Sequence, residues 1–151
     1  MARTEEELLE VVNRQMNELT GIYRAAVGQS GISGNEFWVW YILLLTPGDH
    51  SQQDICSTWF FSKQTVNTIV RHMVAAGYAT LEAVPGTRNR KNIRLTEAGR
   101  RYGEGIVMPV ADAERRALAR MDRAELAACA AAMGKYIRMV KEEIDQGRKP
   151  R

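Results

Sequence analysis

Residues 62–77 read SKQTVNTIVRHMVAAG and have the pattern of one amphipathic helix of about four turns. Ser62 can begin the helix, because its hydroxyl accepts a hydrogen bond from a backbone N–H of the first turn. Gly77 can end it, because glycine adopts the left-handed conformation most easily. The apolar residues between them recur at the i, i+3, i+4, i+7 spacing of a buried stripe. They are Val66, Ile69, Val70 and Met73.

The opposite face of this helix is polar and contains no acidic residue. Amide, hydroxyl and guanidinium side chains can form hydrogen bonds with base edges or phosphates in a major groove of DNA. Short polar residues at a helix start can also be simple caps, so the pattern alone fits either a DNA-reading face or a hydrated one. The residues on or beside this face are Ser62, Lys63, Gln64, Thr65, Asn67, Thr68 and Arg71.

The residues before Ser62 predict a shorter helix that a tight turn joins to the first. Ser51 and Asp54 have the spacing of a capping box, and Ile55 and Trp59 fall on the inner face. Two short helices joined in this way, the second with a polar outer face, form a helix-turn-helix.

A predicted β-hairpin follows Gly77. Residues 78–84 and 92–95 alternate in the manner of strands around a tip that carries Arg88, Arg90 and Lys91. A basic hairpin beside a helix-turn-helix is typical of a wing, whose arginines are drawn to the negative potential of a minor groove. A hairpin that only improves solubility is the alternative.

Composition and charge limit the class of protein. A chain of 151 residues that is 45% hydrophobic and 26% charged is typical of one soluble domain. The longest apolar run is too short to span a bilayer, and the first ten residues are acidic, so we expect a cytoplasmic protein without membrane contacts. The net charge of +3 hides an excess of +5 over residues 51–101, where eight basic residues face three acidic ones. Such an excess is expected where a phosphate backbone binds.

Motifs of known chemistry are missing from the sequence. It contains no G-x-S-x-G, P-loop, H-E-x-x-H or C-x-x-C pattern, and its two cysteines and two histidines lack the spacing of a zinc site. We therefore predict no catalytic residue, no cofactor and no metal. Cys56 and Cys129 occupy positions typical of small buried side chains, which favours structural thiols.

From residue 51 onward the sequence resembles the winged helix-turn-helix of MarR-type transcriptional regulators. The resemblance lies in the order of SQQDIC, STWFFSKQTVNTIVRHMVAAGY, a basic wing and RLTEAGR. It implies a mainly α fold with a small β-hairpin wing. Residues 1–151 would form one domain, with the winged helix-turn-helix at 33–100 and a helical dimerisation part at 1–30 and 101–146.

Two positions depart from the family pattern. Members usually have Asp-Arg-Arg in the wing, where this chain has Thr87, Arg88 and Asn89. They usually have Gly in the turn, where this chain has Phe60, and a left-handed conformation is costly for a residue other than Gly. We expect local differences in the wing and in the turn.

The resemblance and the polar face together predict a regulator that binds double-stranded DNA sequence-specifically. It would act as a homodimer on a pseudo-palindromic operator, as a ligand-responsive repressor. Gln64, Asn67 and Arg71 would read bases, and Arg88, Arg90 and Lys91 would hold phosphates. The alternative is a winged-helix module that binds a protein partner or a small molecule without reading DNA.

The resemblance implies that apolar stripes in the terminal segments form a dimer interface, although packing within one chain would produce the same pattern. The stripes include Leu8, Val12, Met133, Ile137 and Val140. The resemblance also implies a small aromatic or anionic effector, for which Trp38 and Tyr41 would form aromatic walls. Aromatic residues at helical spacing also fit a core. A redox switch through one of the cysteines is a competing hypothesis.

Overall fold

The computed structural model describes residues 3–148, which form six helices and a two-stranded antiparallel sheet. The fold is mainly α with a β-hairpin wing, as predicted. Across the described residues, no helix combines the length and the apolar character needed to cross a bilayer. The elements are α1 Glu5–Gly28, α2 Gly34–Leu45, α3 Gln52–Trp59, α4 Lys63–Ala75, β1 Ala79–Ala83, β2 Lys91–Leu95, α5 Glu97–Leu118 and α6 Arg123–Gly147.

Side-chain caps set the starts of most helices. Each cap accepts a hydrogen bond from a backbone N–H of the first turn, which would otherwise have no partner in the helix. At α3 the capping box predicted from the sequence is complete, because the Asp54 carboxylate also accepts from the backbone N–H of Ser51. The caps of α1, α2, α3, α4 and α6 are Thr4, Ser33, Ser51, Ser62 and Asp122.

The chain divides into two compact units, one up to Val110 and the other from Ala111. The core of the first unit lies around α2, which is apolar on nearly every side and contributes four buried residues. Trp40 is fully buried, and its ring lies 5.9 Å from that of Tyr78 and 5.5 Å from that of Tyr102, measured between centroids. The apolar stripe of α4 packs into the same core.

Hydrogen bonds and close contacts fix the start of α5 to the end of α4. They explain why Thr and Gly occur in the segment LTEAG, residues 95–99. The Thr96 hydroxyl donates to the Gly77 carbonyl at 2.7 Å and accepts from the Gly99 backbone N–H at 3.0 Å. A Cβ at Gly99 would lie 1.9 Å from the Tyr78 carbonyl oxygen, so only glycine fits there. These contacts hold the hairpin and α4 in a fixed relation.

The second unit contains the end of α5 and the whole of α6. None of the described α6 residues is buried. Cys129 on this helix is exposed and Cys56 on α3 is partly exposed, so the expectation of two buried thiols was wrong. The small side chains of the alanine-rich segment around Cys129 cover little of the helix, which leaves the thiol accessible.

Candidate nucleic-acid interface

The two faces of α4 have opposite environments, as the pattern predicts. Val66 and Val70 are fully buried, and Ile69 and Met73 are 8% and 2% exposed. This apolar stripe fixes the rotation of the helix, because turning it would expose the stripe to water. The opposite face is therefore held outward. Its exposed residues are Lys63, Gln64, Asn67, Thr68 and Arg71.

Ser62 and Thr65 form the start of α4 and have a structural role there. The Ser62 hydroxyl accepts from the Thr65 backbone N–H at 3.1 Å and donates to the Thr65 hydroxyl at 2.7 Å. The first turn contains no acidic residue. The partial positive charge of the helix N-terminus is thus not neutralised locally and can attract a phosphate.

The exposed polar surface of α4 extends onto α3, which sequence reasoning missed. Gln52, Gln53 and Cys56 line a groove of about 470 Å³ together with Lys63, Gln64 and Asn67 of α4. The pair of adjacent amides at the start of the first helix was the available signal. Glutamine side chains at this position can form hydrogen bonds with either phosphates or bases.

The turn between α3 and α4 keeps a left-handed residue although it has no glycine. Phe60 adopts φ 58° and ψ 32°, and it is the one residue other than Gly with positive φ among those that the structure describes. Its side chain is 91% exposed. Phe60 therefore adopts the left-handed backbone conformation in this turn, and its aromatic ring lies in solvent.

The wing is a tight hairpin that pairs on both edges of β2. β1 and β2 are antiparallel, with Leu81 opposite Ile93. On the other edge, the Ile93 backbone N–H donates to the His50 carbonyl at 2.8 Å. The tip closes where the Val84 backbone N–H donates to the Arg90 carbonyl at 3.0 Å.

Ion pairs tie the wing to neighbouring segments. Arg94 on β2 donates to Asp49, which precedes α3, and to Glu82 on β1 at 2.6 Å. The hydrogen bond from Arg94 lowers the pKa of the Asp49 carboxyl. Arg90 donates to Asp54 at 2.5 Å. Burial raises the pKa of Asp54, but hydrogen bonds from Ser51 and Arg90 outweigh burial and leave that pKa below its usual value.

The three predicted basic residues of the wing are exposed but differ in their partners. Arg90 is already paired with a carboxylate. Arg88 and Lys91 form no ion pair with any residue in the described range 3–148. Arg88 and Lys91 are thus the cations of the wing best placed to meet a phosphate.

An aromatic cleft of about 560 Å³ lies between α1 and α2. Trp38, Tyr23 and Arg24 are among its lining residues. Tyr41, predicted as a second wall, does not line the cleft; its ring lies 5.2 Å from that of Trp38. The cleft thus combines aromatic surface with a guanidinium group, which suits a planar anion.

The residues predicted to form a dimer interface are exposed or partly exposed. On α1, Leu8 is 49% exposed and Val12 is partly exposed. On α6, Ile137 is 58% and Val140 is 37% exposed, and Met133 is partly exposed. Both helices thus present apolar side chains to solvent in the single chain.

Solved structures of MarR family proteins share this fold. A MarR family regulator from Neisseria meningitidis has a TM-score of 0.81 and 20% identity, with 93% of this chain and 99% of that chain covered. The S. aureus MepR–DNA complex has a TM-score of 0.60 and 17% identity, with coverages of 92% and 99%. BpsR of Bordetella bronchiseptica, whose DNA binding is regulated by 6-hydroxynicotinic acid, has a TM-score of 0.62 and 18% identity, with coverages of 90% and 96%.

The sequence comparison agrees with the structural one. No curated protein sequence matches the chain. The MarR family profile matches residues 30–88, which comprise α2, the helix-turn-helix and the hairpin as far as the wing tip. The chain therefore resembles MarR family proteins in sequence over residues 30–88 and in fold over 93% of its length.

Proposed function

We propose that the protein is a homodimeric repressor that reads a pseudo-palindromic operator and releases it when a small aromatic acid binds. The exposed face of α4 carries the proposal, because five polar side chains without an acid are held outward by a buried stripe. A surface that only needs hydration has no reason to exclude acidic residues, whereas a surface that meets phosphates does.

The side chains divide by chemistry into base readers and phosphate contacts. Gln64 and Asn67 can bind adenine through two hydrogen bonds, and Arg71 can bind guanine in the same way. Arg88, Lys91 and the N-terminus of α4 would hold phosphates. Lys63 and Thr68 would flank the readers, and Ser62 and Thr65 would hold the helix start in place.

A second copy is required by the small reach of one reading helix. One such helix contacts only a few base pairs, and two-fold symmetry doubles the contacts on a palindrome whose half-sites lie about one helical turn apart. The exposed apolar side chains of α1 and α6 support self-association, because large exposed apolar surfaces mark interaction sites.

The experiment is a gel shift on the DNA that flanks the gene of this protein, at two salt concentrations. Arg71→Ala or Gln64→Ala should cost ~1 to 3 kcal/mol on the specific site and relax its sequence preference. Arg88→Ala should weaken binding to every sequence alike and flatten the salt dependence, because it removes a phosphate contact. If all three variants weaken specific and random DNA equally, the division of roles is wrong.

The cysteines provide an independent readout on the same complexes. Cys56 lines the α3–α4 groove, so bound DNA should slow its alkylation by a maleimide, whereas the exposed Cys129 on α6 should react as before. Equal protection of both thiols would indicate aggregation. No protection of Cys56 by DNA that shifts in the gel would place the interface elsewhere.

The cleft between α1 and α2 supports an aromatic acid as the effector. Trp38 and Tyr23 offer ring faces, and Arg24 offers a cation for a carboxylate. The shared fold with BpsR, a protein whose DNA binding is regulated by 6-hydroxynicotinic acid, favours the same ligand class.

Titration with hydroxynicotinic and hydroxybenzoic acids should change tryptophan fluorescence saturably and release DNA. Arg24→Gln should weaken the effect without altering DNA binding in the absence of ligand; no saturable change with any such acid would contradict the proposal.

A further inference from the structure

The Asp54 carboxylate joins two segments of the DNA-binding part. One oxygen, Oδ2, accepts from the Ser51 backbone N–H at 2.8 Å and from the Ser51 hydroxyl at 2.7 Å. The other oxygen, Oδ1, accepts from the Arg90 guanidinium at 2.5 Å. Ser51 is only 2% exposed, so the carboxylate is anchored in a rigid part of the protein. Asp54 on α3 therefore holds Arg90 of the wing, although the two residues are 36 positions apart in the sequence.

Arg90 occupies the point where the wing tip closes. Its carbonyl accepts from the Val84 backbone N–H at 3.0 Å, and β2 begins at the next residue. Arg88 and Lys91 lie two residues before it and one residue after it. Arg90 thus lies between the two unpaired cations of the wing, at the residue where the tip closes.

The contact also lies beside the reading face of α4. Ser51, Gln52 and Gln53 share a depression of about 230 Å³ with the wing residues Asn89, Arg90 and Lys91. Gln52 and Gln53 also line the groove that contains Gln64 and Asn67. The Asp54–Arg90 pair therefore lies in the seam between the wing and the helix-turn-helix.

We propose that Asp54 is a positioning residue for DNA binding: it holds Arg90, and through Arg90 it directs Arg88 and Lys91 of the wing toward phosphates. The proposal rests on the DNA-binding function proposed above. It replaces the predicted role of Arg90 as a phosphate contact. Residues 84–90 of the wing contain no acidic residue, and the carboxylate that pairs with Arg90 comes from α3.

The proposal predicts that removing the charge of Asp54 weakens DNA binding, whereas simple electrostatics predicts that it tightens binding. Removing a negative charge from a DNA-binding surface normally tightens binding, because it reduces repulsion of phosphates. Here Asp54→Asn should weaken binding to the DNA flanking the gene on the order of tenfold, because the wing cations lose their orientation. Asn keeps the size of the side chain and can still accept from the Ser51 backbone N–H.

A double-mutant cycle measured by gel shift separates positioning from direct contact. Asp54→Asn, Arg90→Gln and the double variant should weaken binding by about the same factor, because each breaks the same pair. Both single variants should also flatten the salt dependence. Glu97→Gln is the matched control, since this exposed acid on α5 pairs only with Arg101 in the described residues, and binding should not weaken.

Other outcomes overturn the proposal in distinct ways. If Asp54→Asn tightens binding while Arg90→Gln weakens it and the two effects add, Arg90 contacts phosphate directly and Asp54 only caps α3. If thermal melting shows that Asp54→Asn is partly unfolded, two other variants test the proposal. Arg90→Gln should weaken DNA binding, and Asp54→Glu, which keeps the charge, should retain near-normal binding. If the unaltered protein binds no specific DNA, the proposed function itself fails.

Discussion

Phe60 occupies a backbone conformation that its side chain disfavours. A residue with a Cβ loses roughly 1 to 2 kcal/mol in the left-handed region relative to the right-handed one. The ring recovers little of this by burial, because it is 91% exposed. The sequence predicted that a left-handed conformation at this position would be unfavourable, and Phe60 nevertheless adopts it.

Phe60→Gly should therefore stabilise the protein by about 1 kcal/mol, less the extra backbone entropy that glycine has when unfolded. The free energy of unfolding can be measured by urea denaturation followed by circular dichroism. Phe60→Ala is the matched control, because it removes the same exposed ring and keeps the strained backbone, so its stability should change little. If alanine stabilises as much as glycine, exposure of the ring is responsible and the backbone is not strained.

At the level of the element, local patterns predicted α4 well. The helix runs from Lys63 to Ala75, with Ser62 as its cap and Gly77 at φ 75°, close to the predicted limits. Caps, helical periodicity and a terminal glycine determine a helix through interactions between residues close in sequence. All three can therefore be recognised directly in the sequence. The wing strands and the α3 capping box were predictable for the same reason.

The partners of the wing were not predictable in this way. Arg94 pairs with Asp49 across 45 positions of sequence, and the pairing depends on how β2 lies against the segment before α3. The Asp54–Arg90 pair depends on the same packing. A charge count can place positive charge in residues 51–101, but it cannot show which cations are neutralised by neighbours. Only the folded arrangement separates Arg88 and Lys91 from Arg90.

For the whole molecule, α6 raises the question of what stabilises it. The helix has 25 residues, and none of those described is buried in the single chain. Helices in proteins gain most of their stability by packing an apolar face, because propensity alone makes an isolated helix marginal in water. The apolar stripe of α6, which includes Ile137, Val140 and Ile144, is 37% to 58% exposed. A partner that covers the stripe would supply the missing burial, and in the homodimer proposed above that partner is a second copy of the chain.

Ile137→Glu should therefore convert the protein from dimer to monomer in sedimentation experiments at micromolar concentration. Placing a charge in the centre of an apolar interface should raise the dimer dissociation constant by roughly thirtyfold or more, equivalent to ~2 kcal/mol. Affinity for the palindromic site should fall with it, whereas weak binding to random DNA should change less, since one copy still carries a complete wing and α4. Gln146→Glu makes the same change of charge at an exposed position outside the stripe and should leave the dimer intact. A protein that sediments as a monomer before any substitution, yet shifts the palindromic DNA at full affinity, would show that the stripe has another partner and that symmetry is not the basis of reading.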